Sequence, residues 1–266
     1  MKRLMVASAA AMALSMGAAQ AGNIFLTGHD TDFHFGGVTS SAGLALAADM
    51  KFARNGSVLP VLTFDGGAQL TAAVTSLGIA FTNYNPNLGT GITASVFDAT
   101  KYSAMAVASN SNCGGCDNSD AGLAYLATFS VPIGAFVTAG GGLVGLTGAA
   151  DTSAYAYVPT AASNAGGAPP ASGFLETAAG TGFGLLAENG DATHNYFGTP
   201  GAGGLSSAYV VVEVNGTNNE SLAVSGAAIS CTVTGTCVIV GVPEPASMAI
   251  LGAGLLGLGA LRRRRD

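Results

Sequence analysis

Apolar and polar positions recur with strand-like and helix-like periods along most of the chain. A short apolar strand is expected over 23–27, followed by the polar run Gly28-His29-Asp30-Thr31-Asp32-Phe33-His34. Residues 41–54 read as a helix with Leu44, Ala45, Ala48 and Phe52 on one face, and Asn55-Gly56 supplies its stop. A second strand (58–64), a second helix (67–77, closed by Gly78) and a third strand (79–82) follow. After a loop over 83–91, residues 103–109 form a buried-type strand carrying Met105 and Val107. Residues 120–129 read as a helix, Pro132 as the start of a turn running to Ala139, and 143–146 as an apolar strand entered through Gly140-Gly141-Gly142. Strand and helix thus alternate with short glycine-marked joints. That order predicts an α/β fold, a parallel sheet with helices on both faces. Past Asp151 the pattern changes. Residues 159–172 form a surface excursion, 174–179 a helix, 209–214 a strand and 221–242 β-structure, so the part after about residue 205 is β-rich.

Both chain ends differ from this middle. Lys2 and Arg3, an apolar centre over 4–16 and Ala19-Gln20-Ala21 have the three-part form of a secretory signal peptide, which assigns 1–21 to a removed leader and 22–241 to a passenger. At the other end, residues 242–266 hold Pro243-Glu244-Pro245, an uncharged run over 246–261, then Arg262, Arg263, Arg264 and Arg265. The prolines separate the run from what precedes it. As a helix the run would reach about 24 Å, a little less than the ~30 Å hydrocarbon core. The arginines would hold its end on the cytoplasmic side as a membrane stop. This layout resembles the PEP-CTERM sorting signal of Gram-negative bacteria. The resemblance implies export, a transient inner-membrane anchor, processing near Pro243-Glu244-Pro245 by an exosortase-type enzyme, and release to the cell surface or beyond. It also implies signal peptidase as an earlier partner and exopolysaccharide production as the setting.

Charge narrows the partners. Of nine basic residues only Lys51, Arg54 and Lys101 lie between Gly22 and Pro245, against fourteen of the fifteen acids, a net charge of −11. Such a segment is repelled by nucleic acid, which excludes it as a partner, and by anionic lipid. Cys113, Cys116, Cys231 and Cys237 are an even set in a chain read as exported, so disulfides 113–116 and 231–237 are the simplest pairing. A redox Cys-x-x-Cys would open a helix. Cys113-Gly-Gly-Cys116 lies instead among Asn110, Asn112 and Asp117, in loop chemistry.

Two stretches carry a second resemblance. Residues 24–30 (Ile-Phe-Leu-Thr-Gly-His-Asp) with Phe33-His34, and residues 139–146 (Ala-Gly-Gly-Gly-Leu-Val-Gly-Leu) followed by Ala149-Ala150-Asp151, look like the first strand and the strand-to-turn signature of ThuA-like proteins. This implies a flavodoxin-like fold of the class I glutamine amidotransferase type over 23–151. Position 147 departs from the pattern: ThuA-like proteins carry histidine there and amidotransferases a cysteine nucleophile, whereas this chain has Thr147. A β-branched residue is costly at a strained nucleophile turn, so Thr147 is expected to cap a helix or fill space.

Candidate chemistry gathers after the first strand. His29, Asp30, Asp32 and His34 offer two imidazoles and two carboxylates that could hold a divalent metal or another ligand. Alternating residues of one extended segment do not share a face, so the competing reading is a polar loop with the histidines in solvent. His194 with Thr147 and Asp191 or Glu188 could form a triad-like set, or stand as an exposed loop histidine. Residues 117–120 lack the full alternation of a calcium loop, which leaves Asp120 as a helix cap. The reading that results is a non-catalytic scaffold or carbohydrate-binding domain. The alternative is a metal-dependent ThuA-like hydrolase or sugar-processing enzyme.

Overall fold

The computed structural model describes residues 20–110, 117–148, 154–160, 172–189, 195–232 and 234–241. Residues 1–19 of the leader, the sorting tail and the Cys113–Cys116 pair therefore lie outside the described residues, and the compact unit spans Ala21–Val242. Its strands are β1 (Ile24–Thr27), β2 (Val61–Phe64), β3 (Phe81–Tyr84), β4 (Ala104–Val107), β5 (Gly142–Gly145), β6 (Phe174–Glu176), β7 (Val210–Asn215), β8 (Asn218–Val224), β9 (Ala228–Cys231) and β10 (Cys237–Gly241). The helices are α1 (Ser41–Arg54), α2 (Gln69–Ser76), α3 (Asp120–Ala127), α4 (Ser130–Thr138) and α5 (Ala178–Phe183).

Eight strands join in the order β3-β2-β4-β5-β1-β8-β7-β6. The first five are mutually parallel, and β8, β7 and β6 extend the sheet antiparallel from β1. The parallel half follows the flavodoxin-like winding, with β2 at the switch point and β1 in the place of the fifth strand. Alternation along each strand feeds two cores. Ile24, Leu26, Leu62, Phe64, Met105 and Leu143 face α3 and α4, while Phe25, Val61, Ala104, Ala106 and Val144 face α1 and α2. This is an α/β fold with helices on both faces and a β-rich C-terminal part. β9 and β10 form a separate ribbon joined by the Cys231–Cys237 disulfide. The ribbon rests on α4, where the Thr138 hydroxyl accepts from Ile229 N (2.9 Å) and donates to Ile229 O (3.1 Å).

Helix α1 has the expected bounds and buries Ala45 and Phe52 as expected, but its buried face is wider and leaves Leu44 out. Ser40 Oγ accepts from Gly43 N at 2.9 Å to open it, and Asn55 closes it in the left-handed region (φ 47°). The buried residues are Ala42, Gly43, Ala45, Leu46, Asp49, Met50, Phe52 and Ala53, and Leu44 is 48 % exposed. Leu46 and Met50 bring more apolar area to the sheet than Leu44 does, and the rotation that buries them carries Asp49 inward. Ser40→Ala is expected to cost about 1 kcal/mol in urea unfolding, since it leaves the Gly43 amide without its acceptor. Residues 174–179, read as a helix, divide instead. Phe174–Glu176 pairs with β7, and α5 begins only after Thr177, whose hydroxyl accepts from Gly180 N (3.2 Å).

Candidate functional site

The polar run after β1 is buried from Gly28 to Asp32, and only Phe33 and His34 at its end reach solvent. Gly28 N donates to Glu220 O (3.0 Å), Asn195 N to Gly28 O (3.2 Å) and Thr147 N to His29 O (3.1 Å), which ties the segment to β8 and to the end of β5. Only glycine fits at 28, where an added Cβ would stand 1.9 Å from Asn195 O. The His29 ring is 1 % exposed and meets the Phe174 ring edge-on at 4.7 Å. Its Nε2 lies 3.3 Å from Glu213 Oε2 and 3.8 Å from Glu220 Oε1. Burial works against the charged imidazolium, but the carboxylates of Glu213, Glu188 and Glu220 outweigh it and push the pKa up to about 10.

The acids around it are held in turn. Glu213 accepts from Glu188 N (2.8 Å) and from Ser221 Oγ (2.6 Å), and Glu188 accepts from Thr31 Oγ1 (2.7 Å). Asp49 approaches from α1. Its carboxyl is pushed well above the usual range, first by burial and then by Glu188 and Glu213. The result is one buried imidazolium among four acidic side chains, joining the parallel half of the sheet to its antiparallel half.

The four residues read as a metal or ligand set point three ways. His29 turns to Glu213. Asp30 Oδ2 lies 3.5 Å from the half-exposed His34. Asp32 Oδ2 accepts from Ser109 N at 2.9 Å beyond β4. Burial, followed by the opposing hydrogen bonds from Ser109 and the charges of Asp117 and Asp30, leaves the Asp32 carboxyl at about 7. Among the described residues no group of three His, Cys, Asp or Glu side chains is arranged to hold a metal ion. Of the two histidines expected in solvent, His29 is instead buried. Thr147 is also fully buried: its hydroxyl donates to Asn110 Oδ1 (3.1 Å) and accepts from Asn195 Nδ2 (2.8 Å). Its φ is not positive, since Asn55 is the one described non-glycine residue in that region. Thr147 therefore bridges two loops rather than standing at a nucleophile turn. His194 and Asp191 lie outside the described residues.

At the switch point, Asp117 accepts from Gln69 N (2.6 Å) and Asp65 from Thr71 N (2.8 Å), so both carboxylates serve the start of α2. Burial and the neighbouring Asp65 raise the Asp117 pKa. Helix α3 is capped by Ser119, whose Oγ accepts from Gly122 N (3.0 Å), and Asp120 occupies its first turn instead of the cap position. Sequence reasoning passed over Glu213, Glu220 and Asp49. The available signal was an acid inside an apolar strand or on the inner face of a helix, in a chain with few charges.

Three clefts, lined by residues such as Lys51 and Arg54, Phe97 and Phe136, and Asn23 and Phe183, lie away from the His29 cluster. The most specific functional signal is in the tail, with its prolines, uncharged run and arginines. Residues 241–265 match the PEP-CTERM protein-sorting motif. No curated protein and no solved structure matches the chain. The PEP-CTERM motif marks an exported protein with a C-terminal membrane-anchoring sorting signal, and its processing partner is an exosortase-type enzyme.

Proposed function

We propose that residues 22–241 form a non-catalytic scaffold or carbohydrate-binding passenger. Signal peptidase frees its amino end, and an exosortase-type enzyme cuts near Pro243-Glu244-Pro245 to leave it at the cell surface or in an exopolysaccharide matrix. The sorting motif over 241–265 carries the trafficking part of this reading. The engagement of Thr147 between Asn110 and Asn195, with no exposed face, supports the non-catalytic part. A ThuA-like kinship draws support from pairing: β1 and β5 are neighbours, with Ile24 opposite Leu143, so the two resembling stretches lie side by side. Fold kinship does not carry activity with it, and here the residue at the key turn is committed to the scaffold.

The chain expressed with and without a cognate exosortase tests the trafficking reading. We expect loss of the tail, read by intact mass, only with the enzyme, and retention of the tail in Glu244→Ala. Cleavage without the enzyme would count against it. Metal content of the same purified protein tests the rest: stoichiometric divalent metal, lost in His29→Ala, would move the assignment to the hydrolase alternative.

A further inference from the structure

Lys101 forms an ion pair with Asp98 (3.1 Å) across an exposed turn. The other two Lys or Arg residues of the passenger, Lys51 and Arg54, stand one helical turn apart at the end of α1 and line the same cleft. The cleft measures about 350 Å³, and its remaining walls include Ser57, Val58, Leu77 and Ile79. A second cleft of about 290 Å³ adjoins it through Lys51 and Gly56 and adds Asn23 and Asn55. No carboxylate lines either one. The larger volume falls at the lower end of the range of small-molecule sites.

Cations in a last helical turn complement the helix dipole, which accounts for their sign. It does not account for the cleft or for how Arg54 is held. Arg54 Nε donates to Ser103 Oγ (3.2 Å) and Nη2 to Leu59 O (3.3 Å), so the guanidinium is fixed while further N–H donors remain. Lys51 is exposed and makes no ion pair among the described residues. Across from these charges, Val58 is 90 % exposed, and Leu77 and Ile79 are half-buried. An inorganic anion would use the cationic wall alone, and a neutral sugar the apolar wall alone. A sugar ring that bears a carboxylate uses both.

We propose that this cleft binds a uronate, a carboxylate-bearing sugar ring of an acidic polysaccharide. The carboxylate meets Lys51 and Arg54, and the ring's C–H face lies on Val58, Leu77 and Ile79. That the ring belongs to a polysaccharide rests on the surface or matrix reading above. The net negative charge of the passenger does not forbid binding, because exposed charges are screened over about 8 Å at physiological ionic strength. It does set a modest affinity that falls as salt rises.

The full chain, recovered from an exporting host after tail processing, would be titrated calorimetrically with trigalacturonate, with its methyl ester and with sodium sulfate. We expect trigalacturonate to bind, more weakly as salt is raised. Affinity should drop about tenfold or more in Lys51→Gln and in Val58→Asp. Both side chains are exposed, so the thermal midpoint should stay at the wild-type value in each variant. Equal binding of the methyl ester, equal displacement by sulfate, or wild-type affinity in both variants would overturn the proposal. Tail cleavage is scored separately: its loss with binding intact counts against the trafficking reading, and the reverse counts against the cleft.

Discussion

His29→Gln is expected to destabilise the protein by about 3–5 kcal/mol, the range seen when one partner of a buried ion pair is removed. The substitution leaves Glu188, Glu213 and Glu220 without the one cation in their midst, since Lys51, Arg54 and Lys101 all lie elsewhere. The same pair gives the protein a pH dependence of defined sign. The folded pKa of His29 is about 10, above the ordinary 6.5, so its contribution is complete below about pH 6.5 and is lost as pH rises through 10. Asp32, raised to about 7, acts lower: folding is penalised progressively as pH rises from about 4 to 7, and the penalty is constant above that. Asp49, also raised by burial, penalises folding in the same direction, so the part of the slope between about pH 7 and 9.5 that depends on His29 is read as the difference between wild type and variant. Urea unfolding across that interval should show wild-type stability falling with pH and a shallower fall for His29→Gln. Adding Glu213→Gln should recover part of the loss, because both charges then leave the interior together. A single variant within 1 kcal/mol of wild type, or one that keeps the wild-type slope, would remove the buried imidazolium from the account.

The contrast between α1 and this cluster shows what periodicity reveals. The bounds of α1 are local chemistry, a serine cap and an Asn-Gly stop, and they were legible directly. Strand β3 starts two residues later than its apolar run because Ile79 N still donates to Val74 O (3.1 Å), completing the end of α2. Apolar content does not show which turn an amide belongs to. The surroundings of His29 are non-local in the extreme. They depend on β8 returning antiparallel beside β1, a pairing in which Ser221 and Thr27 bond across 194 positions. A polar run after a first strand marks the edge where ligands bind in many α/β sheets. Here the added antiparallel strands cover that edge with their own acids, and His29 faces those acids rather than Asp30, Asp32 or His34. The cleft at Lys51 was illegible for a related reason. Its cationic wall is on α1, but its apolar wall comes from the end of α2 and the approach to β2.

Gly142→Ala is expected to destabilise by about 3 kcal/mol, the upper end of overpacking costs, because the obstacle is backbone. An added Cβ at 142 would stand 2.1 Å from Ala53 O, 2.6 Å from Ala53 C and 3.0 Å from Ala53 Cα. No side-chain rotation relieves that contact, so α1 has to move off β5 as a unit. Asp49 and Lys51 sit on that helix, and the displacement should reach the buried cluster and the cleft together. Gly182→Ala is the matched control. Nothing lies within 4 Å of its added Cβ, and it sits in α5 without a positive φ. That change should stabilise by about 0.5–1 kcal/mol through lost freedom of the unfolded chain. Urea unfolding of both variants, with hydrogen exchange over residues 41–54, separates the two effects. Loss of stability and faster exchange confined to Gly142→Ala is the expected pattern. Equal stability of the two variants would mean that α1 does not rest on β5 through this glycine, and the resemblance at residues 140–142 would then need a reason other than close helix–strand packing.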